Sequence, residues 1–293
     1  MVPLIDTHQH LLYPDRLSYS WAEAKPELAG RAFTVEDYQA LTKDLGVAAT
    51  IFMESAVDHD DHHAEAQWIA EVARRPGSGI LRIISSIRPE NAPGFVEWVE
   101  EGRDLGVVGY RRILHETSDD VSRSDTFRAN IRKLGDRDLP FDMCFLARQL
   151  PIALELARAC DNTRLVLDHC GVPDIAGGEL HPWRADVAAL ARMPNVWAKL
   201  SGVLAYCAPG AASLETVRPY LEHVIAAFGP ERCLWGSDWP VVDTRADLPI
   251  WIAAFRTILD GCSEAEAAAM AHGTAARVYG VALPAVSAAT QAR

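Results

Sequence analysis

Eight short apolar segments alternate with longer amphipathic ones, and this alternation constrains the fold of the 293-residue chain more than any other feature. Several of the short segments are almost continuous in Val, Ile, Leu and Phe, which is typical of parallel strands buried on both faces. The intervening segments have helical periodicity, with start signals such as Thr34 and stop signals such as Gly46. The apolar segments are residues 3–7, 47–53, 80–86, 107–114, 140–145, 164–168, 196–200 and 233–236.

Eight strand–helix units of about 25–45 residues each predict an α/β fold of the (β/α)8, or TIM barrel, type. The alternative is an open, doubly wound sheet. Such a sheet usually places a Gly-rich phosphate-binding turn after an early strand, and the sequence contains neither GxGxxG nor GxxxxGK[ST]. We therefore expect a single barrel domain over residues 1–283, followed by a loose tail of small and polar residues over 284–293.

Composition and charge exclude several other classes of protein. With 49% hydrophobic and 23% charged residues, the chain is not a disordered, collagenous or coiled-coil protein. The 28 basic and 40 acidic residues give a formal net charge of −12, and no basic run occurs. Nucleic acid and anionic membranes are therefore not expected as partners, and the expected partner is a small-molecule substrate. A homo-oligomer is left open on base rates alone.

The same sequence gives an expectation about the cellular compartment. The N-terminal residues have no basic region followed by an apolar stretch, and no segment approaches 18 consecutive apolar residues. The six cysteines show no CxxC pairing and do not form a disulfide framework. We expect a soluble cytoplasmic protein.

Histidines and a carboxylate follow the predicted strands at one end of the barrel. Asp6, His8 and His10 alternate at the end of the first strand and are expected to share a face, so that two imidazoles converge on a metal ion or a substrate carbonyl. His169 ends the sixth strand. Asp238 ends the eighth, beside the first strand in a closed barrel, where a carboxylate is a natural general base for water. Coincidence, a structural histidine and a helix-capping aspartate are the respective alternatives.

Four motifs in strand order make the chain recognisable. They are HxH after the first strand, DHCG after the sixth, KLSG after the seventh and WGSDWPV after the eighth. Together they resemble the amidohydrolase superfamily, in particular its amidohydrolase-2 branch of L-fuconolactonase-like sugar lactonases, 2-pyrone-4,6-dicarboxylate lactonase and metal-dependent decarboxylases. The resemblance covers residues 5 to about 279 and implies a TIM barrel of amidohydrolase type. It also implies that Asp238 activates water while His8, His10 and His169 polarise a lactone carbonyl.

The need for a metal ion is left open. Metal-dependent relatives provide a Lys or His near the fifth strand, and the corresponding segment here, LPFDMCF, has neither. The set His8, His10, His169 and Asp238 still offers the three or four ligands that zinc prefers. We expect a sugar-acid lactonase without a cofactor. The alternatives are a hydrolase or decarboxylase with a single Zn²⁺ ion, and a barrel that serves only as a binding module. The acidic and histidine-rich run at 58–63 is interpreted as a solvated helix start.

Further side chains at strand ends are candidates for substrate binding. Arg111, which the resemblance favours over its neighbour, offers a planar guanidinium for a carbonyl or carboxylate. The loop after the seventh strand lacks arginine, which favours a neutral sugar lactone over an anionic substrate. The predicted substrate-binding residues are Arg111, Asp142, Arg148, His115 and Glu54.

Overall fold

Each of the eight apolar segments forms a strand, and the strands lie parallel to one another in chain order, β1 to β8. The computed structural model describes residues 1–58 and 61–284. The predicted (β/α)8 barrel is confirmed, and the strand ends differ from the predicted ones by at most two residues. The strands are β1 Leu4–Gln9, β2 Val47–Met53, β3 Ile80–Ser86, β4 Val107–Ile113, β5 Phe141–Cys144, β6 Leu165–Leu167, β7 Val196–Leu200 and β8 Cys233–Trp235.

Helices follow the strands and cover the outside of the barrel. Side chains of the residues just before some of these helices accept hydrogen bonds from free backbone N–H groups. Thr34 forms a capping box with Asp37, and Ser124 and Ser213 cap two later helices. The helices are α1 Ser20–Glu23, α2 Val35–Thr42, α3 His62–Ala73, α4 Phe95–Asp104, α5 Asp125–Gly135, α6 Leu150–Ala159, α7 Trp183–Ala191, α8 Leu214–Phe228, α9 Leu248–Asp260, α10 Glu264–Ala268 and α11 Thr274–Tyr279.

The C-terminal helical region differs from its prediction. The sequence pattern predicts one helix over residues 263–271, but α10 ends at Ala268 and a π-helical turn, Ala269–Gly273, leads into α11. Ala275, Val278 and Tyr279 of α11 pack with the apolar side chains inside the barrel. This helix therefore forms part of the inner core.

The first strand and the residues after the last strand meet at the seam of the barrel. The N–H of Asp238 donates to the carbonyl of His8, and the N–H of His10 donates to the carbonyl of Trp239, both at 2.8 Å. Asp238 and the two histidines are thus fixed by backbone hydrogen bonds at the carboxyl end of the barrel, which is where barrel enzymes place their active sites.

Some of the sequence-based expectations fall outside the described part of the chain. His59 and Asp60 of the 58–63 run lie outside it, as does the expected tail from residue 285 onward. Of the rest of the run, Asp58 accepts hydrogen bonds from Ser18 and Ser20, and the His63 ring stacks on Trp98. Within residues 1–58 and 61–284, no helix combines the length and apolar character of a membrane span.

Candidate active site

Three imidazoles surround one carboxylate at the carboxyl end of the barrel. The Oδ1 atom of Asp238 lies 3.4 Å from Nε2 of His10, 3.8 Å from Nε2 of His8 and 4.0 Å from Nε2 of His169. All four side chains are buried. The structure therefore brings together the four residues that the motifs singled out.

Two close approaches at the seam explain the sequence around His8 and Asp238. A Cβ atom on Gly236 would lie 2.5 Å from the Cβ of His8, so only glycine fits beside that histidine. Asp238 has a φ of 57°, the left-handed region that few residues other than glycine, asparagine and aspartate tolerate. This conformation, together with its hydrogen bond to His8, turns the carboxylate toward the imidazoles.

Asp6 does not share the face of His8 and His10, contrary to the prediction. The ladder between β1 and β2 is irregular between Asp6 and Gln9, which breaks the alternation of side chains that the prediction assumed. The Asp6 carboxylate instead accepts hydrogen bonds from the Tyr38 hydroxyl of α2 at 2.6 Å and from the N–H of Ser237 at 2.8 Å. Asp6 therefore anchors the turn that carries Asp238 to the first strand.

The DHCG and KLSG motifs together fix His169. The φ of His169 is 53°, which swings its ring out of the line of β6, and its Nδ1 lies 2.9 Å from the Ser201 hydroxyl. A Cβ atom on Gly202 would collide with Nδ1 of this ring. The glycine and serine of KLSG thus leave space for the imidazole and orient it.

Arg111 and Glu54 form a buried ion pair beside the imidazoles. Nε of Arg111 donates to the Glu54 carboxylate at 2.6 Å, and Nη2 donates to the Glu54 carbonyl at 2.7 Å. Nη1 lies 3.2 Å from Nε2 of His8. Burial acts to raise the pKa of Glu54, but the neighbouring guanidinium holds it below its ordinary value. The pair places a fixed positive charge next to the histidine cluster.

A second group of charges lies deeper in the barrel, and sequence reasoning missed its central residue, Lys199. Nζ of Lys199 pairs with Asp142 and lies 3.3 Å from Oδ1 of Asp168, which is itself 3.5 Å from Nδ1 of His8. The Tyr279 hydroxyl also donates to Asp142, at 2.9 Å. Burial raises the pKa of Asp142 to about 6, although Lys199 opposes this. We name Tyr279, Asp142, Lys199, Asp168 and His8 the polar column.

The position of Lys199 offered a signal that could have revealed the polar column. Its side chain is fully buried within a strand, and a buried ammonium needs a carboxylate partner. Both carboxylate oxygens of Asp142 already accept hydrogen bonds, which Lys199 and Tyr279 donate. The predicted contact between Asp142 and a substrate hydroxyl stays a prediction.

The remaining two predicted substrate-binding residues, His115 and Arg148, lie closer to the protein surface than Arg111, Glu54 and Asp142. Nδ1 of His115 is 3.4 Å from the Cys144 thiol, and burial lowers the pKa of this partly exposed histidine. The Arg148 side chain is 60% exposed and pairs with Asp119 at 2.8 Å. Their proposed contacts with substrate remain predictions.

The four central side chains also have the chemistry of a zinc site. Potential ligand atoms of His8, His10 and Asp238 all lie within 4.8 Å of one another. The Nδ1 atom of His10 is 3.1 Å from the Met53 carbonyl, so this nitrogen carries a proton and leaves Nε2 directed at Asp238. Nε2 of His8, in contrast, faces the Arg111 guanidinium. His8, His10 and Asp238 therefore offer three ligand atoms for one ion, with His169 beside them, and an ion there would compete with Arg111 for Nε2 of His8.

The family is settled by a comparison with known proteins. The Amidohydrolase family model matches residues 5–281. The chain belongs to the amidohydrolase family. A crystal structure of an amidohydrolase from Burkholderia multivorans with bound zinc is 28% identical, with a TM-score of 0.86, and the match covers 96% of this chain and 100% of that one.

Two curated relatives extend the comparison to named enzymes. The L-fucono-1,5-lactonase of Burkholderia multivorans is 30% identical to this amidohydrolase over 96% of the chain and 97% of that protein. The 4-sulfomuconolactone hydrolase of Rhizobium radiobacter is 27% identical over 80% of the chain and 75% of that protein. Both relatives are named for the opening of a lactone.

Proposed function

We propose that this amidohydrolase opens the lactone of a sugar acid to the corresponding acid. The observation that carries the proposal is the Asp238 carboxylate held within 4.0 Å of three imidazole nitrogens. The Arg111 guanidinium supplies positive charge on the same side. The names of the two lactone-opening relatives support the reaction class.

In the proposed reaction, Asp238 accepts a proton from water, and the water oxygen attacks the lactone carbonyl carbon. The carbonyl oxygen becomes an oxyanion that Arg111 and the imidazoles of His10 and His169 stabilise. Cleavage of the bond between the carbonyl carbon and the ring oxygen then releases the alcohol, which takes the proton from Asp238. Burial lowers the pKa of His8 well below its ordinary value, so its ring is neutral and accepts from Arg111.

The orientation of the His10 ring bears on whether the site needs a metal ion. Because Nδ1 of His10 donates to the Met53 carbonyl, its Nε2 lone pair faces the Asp238 carboxylate at 3.4 Å. Two acceptors at this distance need either a second proton or a cation between them. We favour the metal-independent enzyme, in which the His10 imidazole lies beside the developing oxyanion.

The second candidate is a hydrolase or decarboxylase with one zinc ion, and the zinc bound to the Burkholderia multivorans neighbour favours it. His8, His10 and Asp238 would hold the ion. When bound, zinc would supply polarisation of the substrate carbonyl.

The decisive experiment measures proton release from a panel of aldonolactones, with and without chelator. Asp238→Asn is expected to lower kcat by about 100-fold or more, the usual contribution of a general base. The matched control is Asp247→Asn, an exposed aspartate nine residues further along the chain, for which the rate should stay within about twofold.

Each outcome assigns the function differently. Turnover that survives the chelator in the wild type and disappears in Asp238→Asn supports the metal-independent lactonase. Turnover that the chelator abolishes and added zinc restores supports the second candidate. Undiminished hydrolysis by Asp238→Asn would show that this carboxylate is not the base.

A further inference from the structure

Charged side chains occupy interior positions of the barrel that apolar residues usually fill. Val166 of β6 packs in the inner core, and Asp168, two residues further along, faces Lys199 of β7 at 3.3 Å. Asp142 of β5 pairs with the same ammonium. All three charged side chains are fully buried. Burial of charge in a place that branched apolar residues normally fill is costly, so these residues have a role beyond packing.

The polar column crosses the interior of the barrel from one end to the other. Tyr279 belongs to α11, where Thr274 and Arg277 donate hydrogen bonds to the carbonyl of Glu231, just before β8. α11 therefore lies at the amino end of the barrel, opposite its mouth. At the other end of the column, the His8 ring packs among the imidazoles of the site. The column thus connects the C-terminal helix to the histidine cluster.

The two nitrogens of the His8 ring face groups of opposite hydrogen-bonding character. Nδ1 lies 3.5 Å from Oδ1 of Asp168, and an ionised carboxylate can only accept. Nε2 lies 3.2 Å from Nη1 of Arg111, and a guanidinium can only donate. A proton on Nε2 would face this guanidinium without an acceptor, since Oδ1 of Asp238 is 3.8 Å away. The proton of the ring therefore belongs on Nδ1 and the lone pair on Nε2.

Asp168 is directed at this ring and at Lys199. Within the described part of the chain, its two oxygens make no shorter hydrogen bond to another group. The Lys199 ammonium offsets the cost of burying the carboxylate charge and is itself paired with Asp142. The side of Asp168 that faces away from Lys199 is thus available to the Nδ1 proton of His8.

The Nε2 lone pair of His8 completes the contacts that fix Arg111. The Glu54 side chain and carbonyl accept from Nε and Nη2 of the guanidinium, and Nε2 of His8 accepts from Nη1. Three of its five N–H groups therefore have acceptors among the described residues, which leaves one on each terminal nitrogen for a substrate oxygen. Without an acceptor at His8, the guanidinium would be held from the Glu54 side alone.

We propose that Asp168 is a positioning residue, which holds the proton of His8 on Nδ1 and thereby makes Nε2 the acceptor that fixes Arg111 for the oxyanion. Lys199 in turn holds Asp168. His8 then supports Arg111 and gives no proton to the substrate. This assignment rests on the proposed lactone hydrolysis and adds to it a residue that does not touch the substrate.

The first test locates the proton of His8 without turnover. Two-bond proton–nitrogen correlation spectra of isotopically labelled protein distinguish the two neutral tautomers of histidine, and the signals of His8 are those that disappear in His8→Gln. We expect the wild type to carry the proton on Nδ1. Asp168→Asn should move it to Nε2 in part of the molecules, because an amide can direct its NH2 group at Nδ1. Asp161→Asn, an exposed change of the same kind seven residues earlier, should leave it on Nδ1.

The second test asks whether Asp168 acts through Arg111. With the best lactone, Asp168→Asn should lower kcat by about tenfold or more and change KM by less than about twofold, because the oxyanion that Arg111 contacts develops only in the transition state. Arg111→Lys keeps the charge but loses the planar fork. In that background, the further loss of kcat from Asp168→Asn should be less than about twofold. Asp161→Asn should leave kcat unchanged in both backgrounds.

A proton on Nε2 of His8 in the wild type would overturn the proposal, and this measurement needs no folded variant of Asp168. An unchanged tautomer in Asp168→Asn would also overturn it. So would equal losses of kcat from Asp168→Asn with and without Arg111, because the carboxylate would then act by another route. An enzyme that opens no lactone but shows the expected tautomers would refute the proposed function and leave the positioning of His8 by Asp168 standing.

Discussion

Glu65 is a buried carboxyl group of α3 whose surroundings disfavour its charged form. Burial and the nearby Glu54 carboxylate raise the pKa of Glu65 to about 8, although the Ser55 N–H donates to it at 2.9 Å. The folded protein therefore holds a proton on this group over a pH range in which the unfolded chain has released it. The stability of the fold should decrease as pH rises from about 4.5 to about 8, because the unfolded state binds fewer protons in that range.

Glu65→Gln should remove this pH dependence. We expect the variant to exceed the wild type in free energy of unfolding at pH 9 by on the order of 2–4 kcal/mol, and to match it within about 1 kcal/mol near pH 4.5. Urea denaturation at several pH values measures both. Glu71→Gln, an exposed position on the same helix, is the control. If the two variants have the same pH profile, the prediction fails.

At the scale of elements, the loops after β6, β7 and β8 do most to shape the site. Residues with positive φ occur in each: His169 after β6, Gly202 after β7 and Asp238 after β8. These conformations direct side chains across the mouth of the barrel where regular strands or helices would not. Glycine is required at position 202 for two reasons: its φ is 69°, and the absence of a Cβ atom leaves space for the His169 ring.

Gly202→Ala should therefore displace the His169 ring. We expect kcat/KM for the best lactone to fall by about tenfold or more, because small misplacements at a reacting centre are costly. Gly210→Ala in the same connection is a matched control. The φ of Gly210 is 75°, but no atom lies within 4 Å of the added Cβ. This control variant therefore has the backbone strain of an alanine at positive φ without a steric clash. Equal losses of activity in the two variants would show that contact with His169 is not the cause.

At the scale of the molecule, the polar column links the site to the C-terminal helix. Burial acts to raise the pKa of Asp168, and Lys199 and His8 hold it well below its ordinary value instead. Lys199 thus stabilises the charges of two buried carboxylates, those of Asp142 and Asp168. Removal of this one ammonium would leave both without their principal partner.

Lys199→Met is expected to lower the free energy of unfolding by about 3–5 kcal/mol, the usual result of breaking a buried ion pair from one side. Lys43→Met, at an exposed position, should change it by less than about 0.5 kcal/mol. Chemical denaturation of both variants makes the comparison. A Lys199→Met protein as stable as the wild type would mean that the column is not charged in the folded state.

Sequence alone was sufficient to predict the barrel and the proximity of His8, His10, His169 and Asp238, because both depend on local patterns. Strands buried on both faces are nearly pure apolar runs, and the motifs with His169 and Asp238 stand directly at strand ends. The orientation of Asp6 was beyond such reasoning because an irregularity in β1 changes which face a residue occupies. Lys199 and Asp142 are on strands two apart, and α11 enters the core through contacts far away in sequence. Of these, only Lys199, a lysine within an otherwise apolar strand, has a local signal.

The contact between β1 and the turn after β8 has a consequence for the order in which the enzyme folds. The Ser237 hydroxyl donates to the carbonyl of His8 across 229 residues of chain. Contacts of such separation form late in folding, since nearly the whole polypeptide must be ordered before its ends can meet. A nascent or partly folded chain thus has its histidines and its carboxylate in separate regions. The site is therefore complete only after β1 has joined the turn that follows β8.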